Sequence, residues 1–198
     1  MLKPDTLSSL FTRRSVRLAL VAPTLAAAGV LSACADMSSM PASSFSQNDL
    51  PDAVKVPAGH RVAMETVGVG EIAYECRAKT GAAGSFEWVF VGPKAQLNNR
   101  AGQTVGRYFG PPATWAAQDG SAVTGTQLAV APSGNGNIPM QLVKANPASG
   151  MGAMNGVSYI QRVATRGGVA PATACNAATT GRQEIVRYQA DYIFWKAA

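Results

Sequence analysis

His60 is the only histidine among 198 residues, and that count decides most of the chemistry open to this chain. A Ser-His-Asp device would have to run through His60, yet no Gly-x-Ser-x-Gly elbow exists to present the serine. His60 follows Pro57-Ala58-Gly59, a turn in which its ring is expected to make a capping hydrogen bond. A zinc site of several histidines is impossible, and Cys76 and Cys175 lie too far apart for a zinc spacing. Met140, Met151 and Met154 carry soft sulfur atoms but sit among glycines with no histidine or cysteine motif nearby, so packing is their expected role. Gly68-Val69-Gly70-Glu71-Ile72-Ala73 has the letters of a dinucleotide fingerprint. That motif must open a helix, whereas the residues that follow alternate as a strand. No catalytic residue, metal ligand or cofactor is assigned.

Paired carboxylates are the remaining route to an enzyme, because glycoside hydrolysis needs two acids facing one bond. Glu71 and Glu75 share a parity, but on a face expected to be solvated, and Asp119 is explained by its Asp-Gly turn. Asp191, in an aromatic strand with Arg187 four residues earlier, is the acid to test; an ion pair with Arg187 is its plainer role. Arg162 and Arg166 lead into Gly167-Gly168 and could hold an anionic group, or cap carbonyls and pair internally. Trp88 and Trp195 are expected core anchors. Trp115 is a core anchor by default too, but beside a hairpin tip it is the tryptophan best able to offer a face to a sugar or protein. The candidate ligand or partner contacts are therefore Trp115, Arg162, Arg166 and Asp191.

The elements that must position these residues have period two. Ile72, Tyr74 and Cys76 alternate with Glu71, Ala73 and Glu75; Phe86, Trp88 and Phe90 alternate with Glu87, Val89 and Val91. Near the end, Val186, Tyr188, Ala190, Tyr192 and Phe194 share one side against Arg187, Gln189 and Asp191. Gly92-Pro93, Gly110-Pro111-Pro112, Asp119-Gly120, Gly134-Asn135-Gly136-Asn137 and Gly167-Gly168 punctuate them as turns. The fold class expected is all-β, a single antiparallel β-sandwich or small β-barrel. Thr114–Gly125 is the best hairpin candidate, with Asp119-Gly120 at its tip.

Ahead of that domain, Lys3, Arg13, Arg14 and Arg17 precede an uncharged run from Leu18 to Val30 and then Leu31-Ser32-Ala33-Cys34. This is the layout of an export signal, and Leu-Ser-Ala-Cys resembles the lipobox of bacterial lipoproteins, which implies acylation at Cys34. Thr12-Arg13-Arg14 leaves twin-arginine export open. The chain then divides into a signal peptide (1–33), a flexible serine-rich tether (34–49) and one β domain (50–198), with the membrane as partner through the lipid. Ala35 after the cysteine favours the outer membrane, facing the periplasm. The leader holds four of the 17 basic and one of the 11 acidic residues, leaving a mature charge near +3 and no basic cluster for nucleic acid. In an oxidising envelope, Cys76 and Cys175 are expected to form a disulfide.

The run Val56-Pro57-Ala58-Gly59-His60, then Tyr74-Glu75-Cys76, Trp88-Val89-Phe90-Val91-Gly92-Pro93, Ala113-Thr114-Trp115 up to Gly125, Ile160–Pro171 and Tyr188-Gln189-Ala190-Asp191-Tyr192 together resemble a family of exported proteins known as domain of unknown function 3455. The resemblance implies one exported domain and carries no reaction, ligand or site residue. Three functions follow as expectations. The first is a non-enzymatic envelope module binding cell-wall glycan or a periplasmic protein; the alternatives are a carboxylate-based hydrolase of envelope polymers and a purely structural surface protein.

Overall fold

A computed structural model describes residues 45–198. Eight antiparallel strands follow one another around a closed barrel: β1 (His60–Ala78), β2 (Phe86–Asn98), β3 (Thr104–Phe109), β4 (Thr114–Ala117), β5 (Ala122–Ala131), β6 (Met140–Ala145), β7 (Val157–Gly167) and β8 (Gln183–Ala197). Of the two architectures expected, the barrel is the one formed. Every strand pairs with its sequence neighbours, and β8 closes on β1 from His60↔Ala197 to Glu75↔Gln183.

Alternation explains the closure. On β1, Thr66, Gly68, Ile72, Tyr74 and Cys76 are buried; on β8, Tyr188, Ala190, Tyr192 and Phe194 are buried from the same side. With Leu97, Tyr108, Trp115, Val123, Val143 and Ile160 they fill the interior, as eight strands leave room only for side chains. Two glycines set the shape of β1. A Cβ on Gly68 would lie 2.5 Å from the Tyr192 ring, and one on Gly70 would strike Lys94 O and Ala95 of β2. The apolar lining and charged exterior are the reverse of a membrane-spanning barrel.

A second apolar cluster lies outside the barrel. Ile193, Trp195, Leu142 and Val163 point outward and are covered by Val54 and Val56, with Phe45 and Leu50 packed against them. The covering strap includes a short 3-10 turn, Asp52–Val54. Gln161, wholly buried, ties strap to barrel by donating to Val54 O (2.6 Å) and Gln47 Oε1 (3.1 Å) and accepting from Trp195 Nε1 (2.8 Å). The tether expected to reach residue 49 therefore ends earlier. Phe45 N donates to Glu65 and its ring meets Trp195 edge-on, so 45–49 belong to the domain. Cys34, the leader and the rest of the tether lie outside the described residues.

The Asp119-Gly120 hairpin forms as expected, with Thr114↔Thr124 and Trp115↔Val123 in register. Cys76 and Cys175 are joined in a disulfide with Cα atoms 5.4 Å apart. It fastens the β7–β8 loop to β1, helped by Trp88 Nε1 donating to Thr173 O. Phe90 keeps the inward register it shares with Trp88 but is not buried there. A register shift opposite Ala73/Tyr74 alters the parity of β2, and Phe90, paired with Tyr74 beyond it, is 51% exposed with its ring edge-on to Tyr74.

Candidate functional site

Of the four residues singled out as contacts, none shares a site with another. Trp115 is 1% exposed, stacked on Tyr108 at 4.7 Å and edge-on to Tyr192. Its strand pairs Tyr108 with Trp115 and Trp115 with Val123, both of them interior residues, so the hairpin turns the indole inward and it offers no face to a partner. Asp191 does not pair with Arg187. It faces outward and takes Arg100 Nη1 at 2.7 Å, while Arg100 Nε and Nη2 hold Glu65 at 3.0 and 2.9 Å. Arg100 comes from the β2–β3 turn. The two acids that approach one another, Glu65 and Asp191, thus share one cation and clamp that turn to β1 and β8.

Arg162 and Arg166 are sent to opposite sides of the wall. Val163 pairs with Asp191 and Arg166 with Gln189, so two residues of β7 face one of β8; Ala164, with φ 48°, takes the bulge. Arg166 is then outward and exposed beside Gln189. Arg162 pairs with Tyr192 and shares its parity with Ile160, both interior residues, so it points into the barrel. Thr165, displaced by the bulge, is buried and donates to Ile138 O.

The remaining sequence candidates fall into structural roles. His60 Nδ1 lies 3.0 Å from Pro57 O, the capping contact expected of it, and its ring meets Tyr159 edge-on. Asp119 accepts from Ser121 N and Oγ and from Ala153 N, which binds its turn to the β6–β7 loop; these hydrogen bonds, that from Ser121 Oγ foremost, hold its carboxyl below the usual 3.8. Met154 is interior, Met140 packs in the outer cluster and Met151 is 84% exposed, so the three sulfurs do not converge. Gly68-Val69-Gly70 runs mid-strand in β1.

What the sequence did not reveal is a groove on the outer wall, of about 1030 Å³, crossing β1 to β4. It runs over the backbone of Gly70, Ala95 and Gly106, small residues of inward register on three neighbouring strands. Lys94, Arg107, Phe109 and Gln96 stand along it. The Arg107 guanidinium lies 5.2 Å from the Phe109 ring centroid, a cation–π contact that fixes both side chains. Register places Glu71 next to Lys94 on one side and Arg187 on the other. Glu71 is the only carboxylate in the groove lining, so two facing acids are not found there. The groove is basic, amide-bearing and partly aromatic, a surface that takes anions and hydroxyls along an extended ligand.

A family described as protein of unknown function (DUF3455) matches residues 57–196. No curated protein and no solved structure matches the chain. The matched segment runs from the end of the strap to the last strand and takes in the whole barrel, the disulfide and the groove; the chain belongs to the DUF3455 family.

Proposed function

We propose that this protein is an exported, lipid-anchored envelope domain that binds rather than catalyses, and that cell-wall glycan lies across the β1–β4 groove. The groove itself carries the reading. It is open and long enough to span four strands, as a polymer needs, rather than an enclosed cavity around a small substrate. Lys94 and Arg107 suit the carboxylates of a cell-wall polymer, Gln96 suits hydroxyls, and Phe109 offers a ring edge for a sugar face. The export layout and Leu31-Ser32-Ala33-Cys34 support an anchor at Cys34. From Cys34 to Phe45 the chain can reach at most roughly 40 Å, which keeps the barrel close to the membrane it is tied to.

The test is co-sedimentation of a soluble Cys34→Ser form with purified sacculi, beside a Lys94→Ala/Arg107→Ala variant. Both substitutions are on exposed side chains and leave the interior untouched. The proposal expects the parent to sediment and the variant to lose at least about tenfold in apparent affinity, since charge-assisted hydrogen bonds contribute about 1.5–3 kcal/mol. Equal recovery of both forms, or recovery of the parent no greater than in a control without sacculi, counts against it.

A further inference from the structure

We infer that the barrel mouth beside Arg162 is a second binding site, independent of the groove, for the carboxylate head of a small organic acid. The argument begins with residues that register points inward but that solvent still reaches. Gln127 pairs with Val143, an interior residue, and Gln141 pairs with Arg162 and Val130. Inward-facing side chains of a closed barrel are ordinarily buried. Here Gln127 is exposed, Val130 is 45% exposed, and Gln141 and Arg162 are half-buried. A shift in the β5–β6 register between Gln127 and Ala129 interrupts the wall at the same place. Phe90, inward on β2 and 51% exposed, lies at this same end of the barrel. Solvent therefore reaches the inner face of the wall at this end, beside Ile138, which fills the interior there, with Phe90 and Val130 as its apolar groups and Gln127 and Gln141 as its amides.

Arg162 is the one cation facing into that opening, and among the described residues no carboxylate pairs with it. Its Nε and Nη2 donate to a single backbone oxygen, Pro139 O, at 3.2 and 3.0 Å. That fixes one edge of the guanidinium and leaves the end-on fork, Nη1 with the second Nη2 hydrogen, unused by the protein. The fork matches a carboxylate bidentately. Tyr74, Tyr108, Tyr188 and Tyr192 all lie within its electrostatic reach. Three of these phenols are committed: Tyr74 donates to Gly168 O, and Tyr188 and Tyr192 share a hydrogen bond of 3.1 Å. Tyr108 is 6% exposed, and its hydroxyl, which is not sealed from solvent, has no protein hydrogen-bond partner among the described residues. The Trp115 indole stacked on it also keeps an unpartnered buried N–H. The guanidinium fork and the buried indole N–H are left without protein acceptors, and a carboxylate supplies two oxygens. The apolar rim at Phe90 and Val130 calls for an apolar body behind that head.

Calorimetric titration of the folded Cys34→Ser protein with benzoate and octanoate, beside benzamide as an uncharged match and inorganic phosphate as another anion, tests this. At least one carboxylate should bind saturably at one site, with benzamide and phosphate at least about tenfold weaker. Arg162→Gln should weaken the carboxylate by at least about tenfold. Because Arg162 also holds Pro139 O, Gln141→Glu serves as the variant that keeps that contact: it gives up the exposed Gln141 Nε2 hydrogen bond to Gln127 Oε1, sets a carboxylate on the register partner of Arg162 to occupy the fork, and should weaken binding by a comparable factor. Both variants should still sediment with sacculi, which separates this site from the groove. Absence of saturable carboxylate binding, phosphate binding as tightly as the carboxylates, or Gln141→Glu binding like the parent overturns the assignment.

Discussion

Gln161 is where a single substitution should separate strap from barrel. Gln161→Leu keeps the side-chain volume but removes one acceptor and two donated hydrogens, so that Trp195 Nε1, 6% exposed on its residue, and the carbonyl of wholly buried Val54 lose their partners. An unsatisfied buried group costs about 1–3 kcal/mol, giving about 2–6 kcal/mol for two. The leucine's own apolar contacts offset part, so a net loss of about 2–4 kcal/mol is expected, against the roughly 5–15 kcal/mol that domains have in total. Denaturant unfolding with the disulfide intact measures it. A change below about 0.5 kcal/mol would refute the claim that this amide holds the strap, and with it the placement of 45–58 as part of the domain. Gln161→Glu adds a sign. Facing Val54 O and Gln47 Oε1, both acceptors, a glutamate is favoured in its protonated form, so its folded pKa is raised above the usual value of about 4.3. The variant should stand near the parent below about pH 4 and fall away as pH rises through that folded pKa.

The other predictions concern cross-links and titration. Replacing Cys76 and Cys175 by serine frees a loop of 99 residues and should lower stability by up to about 4.7 kcal/mol in the chain-entropy picture, read as a fall in denaturation midpoint; a loss under about 1 kcal/mol would contradict it. Burial pushes the hydroxyls of Tyr74, Tyr108, Tyr188 and Tyr192 above the usual 10.0, so their neutral forms stabilise the fold fully below that pH and the contribution is lost as pH climbs through the raised values. A spectrophotometric titration should show these four ionising only as the barrel opens. Asp119, held below 3.8 chiefly by Ser121, favours the fold above its unfolded pKa and loses that effect as pH falls through its folded value; carboxyl NMR should give a midpoint under 3.8.

Much of the barrel could be read from residues that alternate. Tyr188, Ala190, Tyr192 and Phe194 announce a buried face because one side of β8 meets only interior side chains, and Asp119-Gly120 announces its hairpin because the turn needs those backbone angles. The disulfide could be read from the two cysteines of the β domain on the expectation of an oxidising compartment. What alternation could not show is where it breaks. Phe90 keeps its inward register but stays exposed at the strand's end, and Arg162 and Arg166 part because the bulge at Ala164 adds a residue between them, at an alanine that gives no sign of a positive φ in the sequence. Asp191 was assigned the local Arg187, whereas its partner Arg100 is 91 residues away and arrives only when β2–β3 folds over. Trp115 is the core anchor its type suggests, and its pairing with Val123 across the hairpin removes the alternative of a ring offered to a partner. The groove left no motif at all, since residues of several strands line it together.

Backbone-amide NMR of the Cys34→Ser protein with purified glycan fragments tests most directly whether cell-wall glycan lies across the β1–β4 groove, as proposed. Shift changes concentrated on β2, β3 and β4 around Lys94, Arg107 and Phe109, and weakened in Lys94→Ala/Arg107→Ala, are the predicted result. Saturating fragments that move no amide on these strands, or move only those of the strap or the Arg162 mouth, would contradict it.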